Sequence, residues 1–341
     1  MAMTYVAPLW LPSGNLQTIW PALYSRRVAG ARVSYQRERW STPDGDFVDV
    51  DFGAWAACPD RPLLVLFHGL EGSSRSHYAE AFADFARSRG WAFAVPHFRG
   101  CSGEPNLAPR AYHSGDFQEA DWILRRLQTR QRARGEAPVV AVGVSIGGNV
   151  LLRWAEEMGE LALRVVAAVA AVCAPLDLSA SGHAIGRGFN RQVYTRMFLR
   201  TMVPKALHKL EQYPGLFNRE RLLAARDLYE FDNVFTAPLH GYRDAQDYWV
   251  RASAKPQLRE IRVPALLVNS RNDPFVPAAS LPRAQDVAAS VTLWQPAQGG
   301  HVGFAAGRLP PGDVCTLPAL VGGWLASQLE QCYVQPLMHH G

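Results

Sequence analysis

The stretch P-V-V-A-V-G-V-S-I-G-G-N-V, residues 138–150, decides the fold of this chain. Its first half is a β-branched run typical of a strand buried on both faces, and the run ends in a G-x-S-x-G pattern. In this pattern Ser145 lies on a sharp turn between a strand and a helix, and the flanking glycines leave room for the crossing backbone. The following helix directs its first N–H groups toward the serine, where they favour negative charge. The sequence therefore predicts a nucleophile elbow.

Short apolar strands alternate with helix-length amphipathic segments on both sides of this elbow. Besides the elbow strand, the predicted strands are 63–67, 91–96, 164–173, 263–269 and 291–295, and the predicted helices are 76–89, 115–134 and 315–328. This alternation indicates an α/β fold with a mostly parallel central sheet and helices on both faces. Two further segments, 31–40 and 46–52, alternate in polarity and predict a leading β-hairpin.

The segment 177–255 breaks this alternation, because it carries helical patterns and aromatic residues but few strand signals. We therefore expect an inserted helical cap there, and a core formed by residues 31–176 and 256–341. Residues 1–30 are expected to form an N-terminal arm packed on the core by its tryptophans, without a long helix because prolines interrupt it. A flap over the substrate site, or a segment that touches a membrane, is the alternative for this arm.

Composition narrows the class of protein. A chain of 341 residues with 48% apolar residues can form one catalytic domain with an insertion. Its five cysteines are odd in number and widely spaced, which indicates neither a disulfide framework nor a zinc site and favours a reducing, cytoplasmic location. Neither a leader peptide nor an 18-residue apolar run is present, so we expect a soluble, unprocessed protein. The formal net charge of +5 suits an anionic substrate or surface but does not indicate a nucleic-acid partner.

A serine nucleophile needs a base, and the base needs an orienting carboxylate. After elbows of this kind the partners follow in the order Ser, Asp, His. Asp273 lies just past the predicted strand 263–269, and His301 just past 291–295, so both are expected at the sheet edge that carries Ser145. We predict that His301 is the general base and that Asp273 fixes its tautomer. Asp177 is an alternative third member, although it also suits a helix cap.

Two backbone N–H groups are predicted to form an oxyanion hole, that of Ile146 after the nucleophile and that of Leu70 after the first parallel strand. His68 is expected to brace the Leu70 loop, whereas His97 and His113 are interpreted as buried, hydrogen-bonded histidines. Metalloprotease, P-loop and dinucleotide-binding motifs are absent from the sequence, so no metal or cofactor is expected.

The stretch 187–209 carries six basic residues and no acidic one. Such a basic amphipathic segment is typical of a solvated lid helix, and it can alternatively contact anionic lipid. Peripheral contact with anionic lipid is therefore the second interpretation of this segment. The oligomeric state cannot be read from the sequence.

Several motifs together resemble a known family. They are P-L-W-L-P-S-G-N-L-Q-T-I-W (8–20), H-G-L-E-G-S-S-R-S-H-Y (68–78), F-R-G-C-S-G-E-P-N (98–106), Y-H-S-G (112–115), the elbow G-V-S-I-G-G-N, F-D (231–232), T-A-P (236–238) and Y-W (248–249). These motifs, which span nearly the whole chain, resemble the YheT-like branch of the α/β-hydrolases. The resemblance implies the α/β-hydrolase fold and a cofactor-free carboxylic ester hydrolase with a Ser-His-Asp triad. The resemblance also implies eukaryotic relatives that act on acylglycerols and phospholipids and carry an N-terminal membrane anchor, and this chain is expected to depart from them in that anchor.

The leading hypothesis is a cytoplasmic serine esterase that cleaves short- or medium-chain acyl esters through an acyl-Ser145 intermediate. A lipase, phospholipase or thioesterase acting on lipid-like acyl substrates is the first alternative. A non-catalytic binding protein built on the same fold is the second.

Overall fold

One eight-stranded sheet forms the centre of the computed structural model, which describes residues 3–334 except 56, 57, 59 and 136. The strands are β1 (Tyr35–Ser41), β2 (Phe47–Gly53), β3 (Leu63–Phe67), β4 (Ala92–Pro96), β5 (Val139–Val144), β6 (Ala168–Val172), β7 (Ala265–Val268) and β8 (Val291–Trp294). Their spatial order is β1-β2-β4-β3-β5-β6-β7-β8. Strands β3 to β8 are parallel to their neighbours, and the hairpin β1–β2 joins the sheet antiparallel to β4. The predicted α/β class and mostly parallel sheet are therefore confirmed.

The described residues form twelve α-helices, some of which cover the two faces of this sheet. They are α1 (Gly14–Leu23), α2 (His77–Ser88), α3 (Phe117–Arg132), α4 (Ile146–Met158), α5 (Leu178–Ile185), α6 (Gly188–Asn190), α7 (Arg196–Gln212), α8 (Arg219–Ala224), α9 (Leu228–Val234), α10 (Thr236–Leu239), α11 (Ala245–Ala252) and α12 (Thr316–Val334). Helices α3 and α4 pack on one face through residues such as Leu127 and Trp154, and α2 and α12 on the other through Phe82 and Leu325. None of the helices in the described part of the chain is both long and apolar enough to cross a bilayer.

The central strands read as continuous apolar runs because both of their faces are covered. All residues of β3, β5 and β6 are buried. This double burial is why β-branched and small apolar residues dominate these strands. Polar groups near these three strands therefore lie past their carboxyl ends, because β3, β5 and β6 themselves contain no polar side chain.

Two predicted elements differ from the structure. The predicted strand 164–173 begins four residues late, at Ala168, because Gly159–Arg164 forms a 3-10 helix after α4. The arm contains α1, a ten-residue helix that begins with the Ser13 side chain capping the N–H of Leu16. Pro21 lies in the last turn of α1, so it limits the length of the helix but does not prevent it.

The stretch between β6 and β7 contains seven helices, α5 to α11, and among its residues, all of which are described, there is no strand. These helices contribute to three small apolar clusters, centred on Trp249, Tyr194 and Phe231, and the Tyr194 cluster also includes Phe275, Val276 and Leu281 from the loop after β7. The division into an arm (1–30), a core and a cap (177–255) stays a prediction. What the structure adds is that the helices over this stretch lie above the sheet edge that carries Ser145, since several of them line the same cavity as the serine.

Candidate active site

Ser145 occupies a strained turn between β5 and α4, with φ 55° and ψ −123°. Its own N–H donates to the carbonyl of Val172 at the end of β6, over 2.8 Å. A Cβ atom on Gly147 would lie 2.5 Å from the carbonyl oxygens of Phe67 and His68, and one on Gly143 would lie 2.3 Å from that of Gly147. Both glycines are thus required by close backbone contacts, and the backbone is held in the conformation that presents the Ser145 hydroxyl to the cavity.

The side chains of Ser145, His301 and Asp273 form one hydrogen-bonded line. Nε2 of His301 lies 3.0 Å from Oγ of Ser145, and Nδ1 of the same ring lies 2.8 Å from Oδ2 of Asp273. Because the carboxylate only accepts, Nδ1 carries the proton and Nε2 presents a lone pair to the serine hydroxyl. This arrangement can take the Ser145 proton as the hydroxyl attacks an electrophile.

The carboxylate of Asp273 is held by its own loop. Oδ1 accepts hydrogen bonds from the backbone N–H groups of Phe275 and Val276, over 2.7 and 3.2 Å, which leaves Oδ2 for His301. The side chain of Asp273 is fully buried, and the ring of Phe275 packs on the imidazole with 4.2 Å between centroids. The Asp273 carboxylate and the ring of Phe275 therefore both fix the orientation of the His301 imidazole.

The N–H groups of Leu70 and Ile146 are free to receive an oxyanion, since within the described part of the chain neither donates a hydrogen bond. Ile146 is the first residue of α4, and first-turn N–H groups have no intrahelical acceptor. The Leu70 loop approaches the nucleophile closely: a Cβ atom on Gly69 would lie 3.1 Å from Cβ of Ser145. The pair of N–H groups therefore sits on the two segments that flank the serine.

Three side chains hold the Leu70 loop in place. Tyr78 accepts the N–H of Gly69 over 2.8 Å, and Tyr112 accepts the N–H of Glu71 over 3.0 Å. His68 accepts the N–H of Phe98 at Nε2 and donates from Nδ1 to the carbonyl of Gly69. Complete burial lowers the pKa of His68 to about 3, so the ring stays neutral. The predicted bracing role of His68 agrees with these contacts.

A cavity of about 510 Å³ opens above Ser145 and His301. Its walls are mostly apolar and come largely from the helices over 178–252, with Leu178, Ile185, Phe198, Phe231 and Trp249 among them. This volume lies within the range of roughly 300–1,000 Å³ that is usual for small-molecule sites. The site can therefore accommodate an apolar group bonded to the atom that Ser145 attacks.

The basic stretch 187–209 divides into two parts. Lys209 is only 4% exposed, and its Nζ donates to the carbonyls of Asn106 and Ala108 over 2.7 and 2.9 Å. Lys205 pairs with Glu71 in the Leu70 loop over 2.8 Å. Interpreting the whole stretch as solvated or lipid-facing is therefore wrong for Lys209, which is buried, whereas Lys205 is exposed and joins α7 to the Leu70 loop through its ion pair. The arginines at positions 187, 196 and 200 remain exposed.

The remaining candidates have other roles. Asp177 caps α5 by accepting the N–H of Ala180 over 3.0 Å, so its carboxylate is engaged in the cap. His97 directly follows β4, and its Nε2 contacts the carboxylate of Asp51 over 2.9 Å. His113 accepts the N–H of Gly115, and burial lowers its pKa to about 3. These contacts agree with the interpretation of both histidines as buried and hydrogen-bonded.

Cys173 lies close enough to Asp273 and His301 for the three to be considered as metal ligands. Burial, with the charge of Asp273 as a second cause, raises the pKa of its thiol well above the usual value. A metal would require the thiolate, and it would also compete with the hydrogen bond between Asp273 and His301. The donor set therefore suits a hydrogen-bonded pair with a neutral thiol beside it better than a metal centre.

Sequence reasoning missed two polar residues behind the site. Gln17 and Thr18 of α1 hydrogen-bond to the loops that carry Asp273 and His301. A signal existed, since Gln17 is a polar residue in an otherwise apolar and aromatic segment and is fully buried in the structure. The tryptophans are the more prominent signal in this segment. Two of them, Trp10 and Trp20, donate hydrogen bonds to the backbone carbonyls of Gly307 and Pro311.

Comparisons with known proteins agree with this architecture. The sequence model of the family described as "alpha/beta hydrolase fold" matches residues 62–307. The protein named "Putative esterase YheT" from Escherichia coli (strain K12) is 41% identical over 93% of this chain and 91% of its own length. Phospholipase ABHD3 from Homo sapiens is 26% identical over 90% of this chain and 75% of its own.

A solved structure of the same architecture is that of alpha/beta hydrolase domain-containing protein 10 from mouse. It superimposes with a TM-score of 0.51 over 86% of this chain and 99% of its own, at 17% identity. At that identity the likeness concerns the fold alone.

Proposed function

The chain belongs to the YheT-like branch of the α/β-hydrolase family, and we propose that the protein is a serine esterase that cleaves carboxylic esters of short or medium acyl chains. The observation that carries the proposal is the unbroken line of hydrogen bonds from Ser145 through His301 to Asp273, at 3.0 and 2.8 Å. Such a line is the arrangement by which an alcohol becomes nucleophilic near neutral pH.

The first half of the reaction forms an acyl-enzyme. Oγ of Ser145 attacks the ester carbonyl while Nε2 of His301 takes its proton, and the carbonyl oxygen becomes an oxyanion held by the N–H groups of Leu70 and Ile146. Asp273 stabilises the resulting imidazolium. When the C–O bond to the alcohol breaks, His301 returns the proton to the departing oxygen, which leaves as a neutral alcohol.

The second half releases the acid. A water molecule takes the place of the alcohol, and His301 removes a proton from it as its oxygen attacks the acyl carbonyl. The same two N–H groups hold the second oxyanion. Collapse breaks the bond to Oγ, which recovers its proton from His301, so that the carboxylic acid departs and the enzyme is regenerated without a cofactor.

The cavity supports this substrate class. A space of about 510 Å³ with mostly apolar walls favours an acyl chain over a charged group beside the nucleophile. The names of the relatives, an esterase and a phospholipase, support ester bonds as the target. A lipase, phospholipase or thioesterase activity on larger lipid-like substrates is the alternative within the same chemistry.

An ester screen tests the proposal. Purified protein is assayed with p-nitrophenyl esters of increasing acyl length, with lysophospholipids and with acyl thioesters, and Ser145→Ala serves as the blank. We expect hydrolysis that is greatest on short or medium acyl esters and that disappears in the blank. The non-catalytic binding protein would instead be favoured if wild type and Ser145→Ala hydrolyse the esters equally. It would also be favoured if a fluorophosphonate does not label Ser145 of the wild type.

A second candidate function, hydrolysis at an anionic lipid surface, is favoured by the exposed part of the basic stretch. Arg187, Arg196 and Arg200 are exposed and form no salt bridge with the described residues. Phe189 and Met197, each 53% exposed, lie among them. Cations interleaved with apolar side chains are the combination that binds anionic headgroups and the adjoining acyl chains.

Vesicle co-sedimentation distinguishes the two functions. A triple variant with glutamine at positions 187, 196 and 200 is compared with wild type on vesicles of phosphatidylglycerol and of phosphatidylcholine. The lipid-surface function requires that wild type binds the anionic vesicles and not the phosphatidylcholine vesicles, and that the variant no longer binds them. It also requires that wild type cleaves esters faster when they are carried by anionic vesicles. A short-chain ester preference that vesicles leave unchanged would exclude it.

The cellular location belongs to the same proposal. Cys58, Cys101, Cys173 and Cys315 are free thiols among the described residues. Free thiols persist in reducing compartments, and this supports a cytoplasmic enzyme.

A further inference from the structure

Gln17 connects three separate segments behind the candidate active site. Its side chain is fully buried, and Oε1 accepts hydrogen bonds from Nδ2 of Asn272 and from the N–H of Gly299, each over 2.9 Å. Nε2 donates to the carbonyl of Leu11 over 2.8 Å. Asn272 precedes Asp273, and Gly299 lies two residues before His301. The amide of Gln17 therefore joins two loops: residues 269–277, which carry Asp273 and are called the acid loop, and residues 295–305, which carry His301 and are called the histidine loop.

Thr18, the next residue of α1, contacts the histidine itself. Its Oγ1 accepts the backbone N–H of His301 over 2.8 Å and donates to the carbonyl of Gly14 over 2.7 Å. Asn272, held by Gln17, accepts the N–H of Gly300 over 3.0 Å. The N–H groups of three consecutive residues, 299 to 301, are thus satisfied by α1 or by a residue that α1 holds.

The backbone of α1 lies directly against both loops. A Cβ atom on Gly303 would lie 1.7 Å from the carbonyl oxygen of Gln17, and one on Gly14 would lie 1.9 Å from that of Asn272. The histidine loop has no regular secondary structure, and Gly299, Gly300 and Val302 have φ values of 148°, 60° and 61°. Within this loop the N–H of Phe304 donates to the carbonyl of Gly299 over 3.0 Å, but the N–H groups of 299 to 301 have their acceptors outside the loop, so its conformation depends strongly on what packs on it.

We propose that Gln17 and Thr18, two polar residues of α1, are positioning residues of the catalytic site rather than parts of a packing arm or a flap. The inference rests on the proposed function, because it assigns the two residues to the geometry of the Ser145–His301–Asp273 line. Gln17 holds the acid and histidine loops at a fixed distance from each other, because it bonds to both. Thr18 holds the backbone of His301 in position through its N–H. Neither residue lines the cavity, so neither is expected to contact substrate.

The consequence is a selective loss of turnover. A displacement of about 1 Å in a catalytic group can cost about 10²-fold in rate, whereas the side chains of Gln17 and Thr18 do not line the cavity in which substrate would bind. Gln17→Met keeps the volume but loses every hydrogen bond, and Thr18→Val loses only the hydroxyl. We expect both to lower kcat by about 10²-fold with KM within about 3-fold of wild type.

Two matched variants separate positioning from stability. Thr18→Ser retains the hydroxyl that accepts the His301 N–H, and it is expected to restore kcat to within about 3-fold of wild type. Leu16→Ala lies on the same helix with an exposed side chain, and wild-type kcat is expected. If Gln17→Met does not fold, the pair Thr18→Val and Thr18→Ser still decides the proposal, because Thr18→Val removes the hydroxyl and keeps the branched shape, whereas Thr18→Ser keeps the hydroxyl and removes the methyl group.

The closing experiment measures kcat and KM for these variants and records the low-field proton resonance of His301 Nδ1–H, which requires no turnover. Reduced kcat in Thr18→Val with recovery in Thr18→Ser, and a shifted or lost resonance in Thr18→Val alone, supports the proposal. Equal kcat and an unchanged resonance in both, even with a lower Tm, would overturn it. If wild type cleaves no ester, the proposed function fails, and the resonance alone then decides whether α1 positions His301.

Discussion

Asp273 and His301 form a pair in which each oxygen of the carboxylate has a different hydrogen-bonding role. Oδ2 lies 2.8 Å from Nδ1 of His301, and Oδ1 accepts the two backbone N–H groups that follow it in the loop. An amide at position 273 could keep the second role while failing at the first. This division makes the pair testable without unfolding the loop.

Asp273→Asn is expected to lower kcat by about 10⁴-fold, because the amide NH₂ donates to Nδ1 and forces the proton of His301 onto Nε2, facing Ser145. The unfolding free energy should change little, since the amide oxygen still accepts from Phe275 and Val276. Steady-state kinetics and urea unfolding measure the two effects. Asp177→Asn is the matched control, and it should retain wild-type kcat because asparagine caps a helix as well as aspartate does. The reverse pattern would make Asp177 the third member.

Gly147→Ala is expected to destabilise the protein by about 1–3 kcal/mol or more, because the added methyl group would meet two backbone carbonyls at 2.5 Å. Backbone of β3 cannot move aside without disturbing the centre of the sheet. Chemical denaturation provides the measurement. Gly323→Ala in α12, where a Cβ would meet nothing within 4 Å, should leave stability unchanged or raise it by up to about 1 kcal/mol. Equal effects of the two substitutions would contradict the close contact at the elbow.

Lys205→Met tests the link between α7 and the Leu70 loop. The variant leaves Glu71 with Tyr112 as its remaining partner, so its negative charge beside the Leu70 N–H should oppose the oxyanion and reduce kcat/KM several-fold. Stability should fall by no more than about 1 kcal/mol, because the Lys205 side chain is 45% exposed. Lys205→Arg should behave as wild type, and added salt should shrink the defect. A full-rate Lys205→Met enzyme at low salt would refute the link.

Acid should weaken the contribution of the buried histidines to stability below pH 6.5, and the buried carboxyls Glu119 and Glu156, whose pKa values burial raises to about 7 and about 9, should offset part of that loss. Burial lowers the pKa of His68, His113 and His240 to about 3 and that of His77 to about 4, against 6.5 in an unfolded chain. Between these values the unfolded chain binds more protons than the folded one, so unfolding becomes easier as the pH falls. Unfolding free energies measured at pH 7 and pH 5 should differ by up to about 2 kcal/mol for each fully buried histidine. His68→Gln should flatten this dependence, and an unaltered slope would show that His68 is protonated in the folded protein.

The sequence by itself determined the local parts of this protein. The β-branched strand before Ser145 and the glycines around it specify a strand–turn–helix within a dozen residues, because burial and close backbone approach restrict each position separately. The alternation of strands and helices then fixed a parallel sheet, and its strand ends indicated which aspartate and histidine share an edge with the serine. For these reasons the fold class and the three side chains of the candidate site could be selected from the sequence.

The tertiary structure decided what joins distant segments. Gln17 bonds to Gly299, which lies 282 residues away, and Lys209 bonds to Asn106. No periodicity records such contacts, because a buried polar side chain is satisfied by whichever loop packs against it. The same reason explains why the arm looked like apolar packing and why the basic stretch looked uniformly exposed. Local sequence restricts the backbone of each element, whereas hydrogen-bond partners across elements exist only once those elements are assembled.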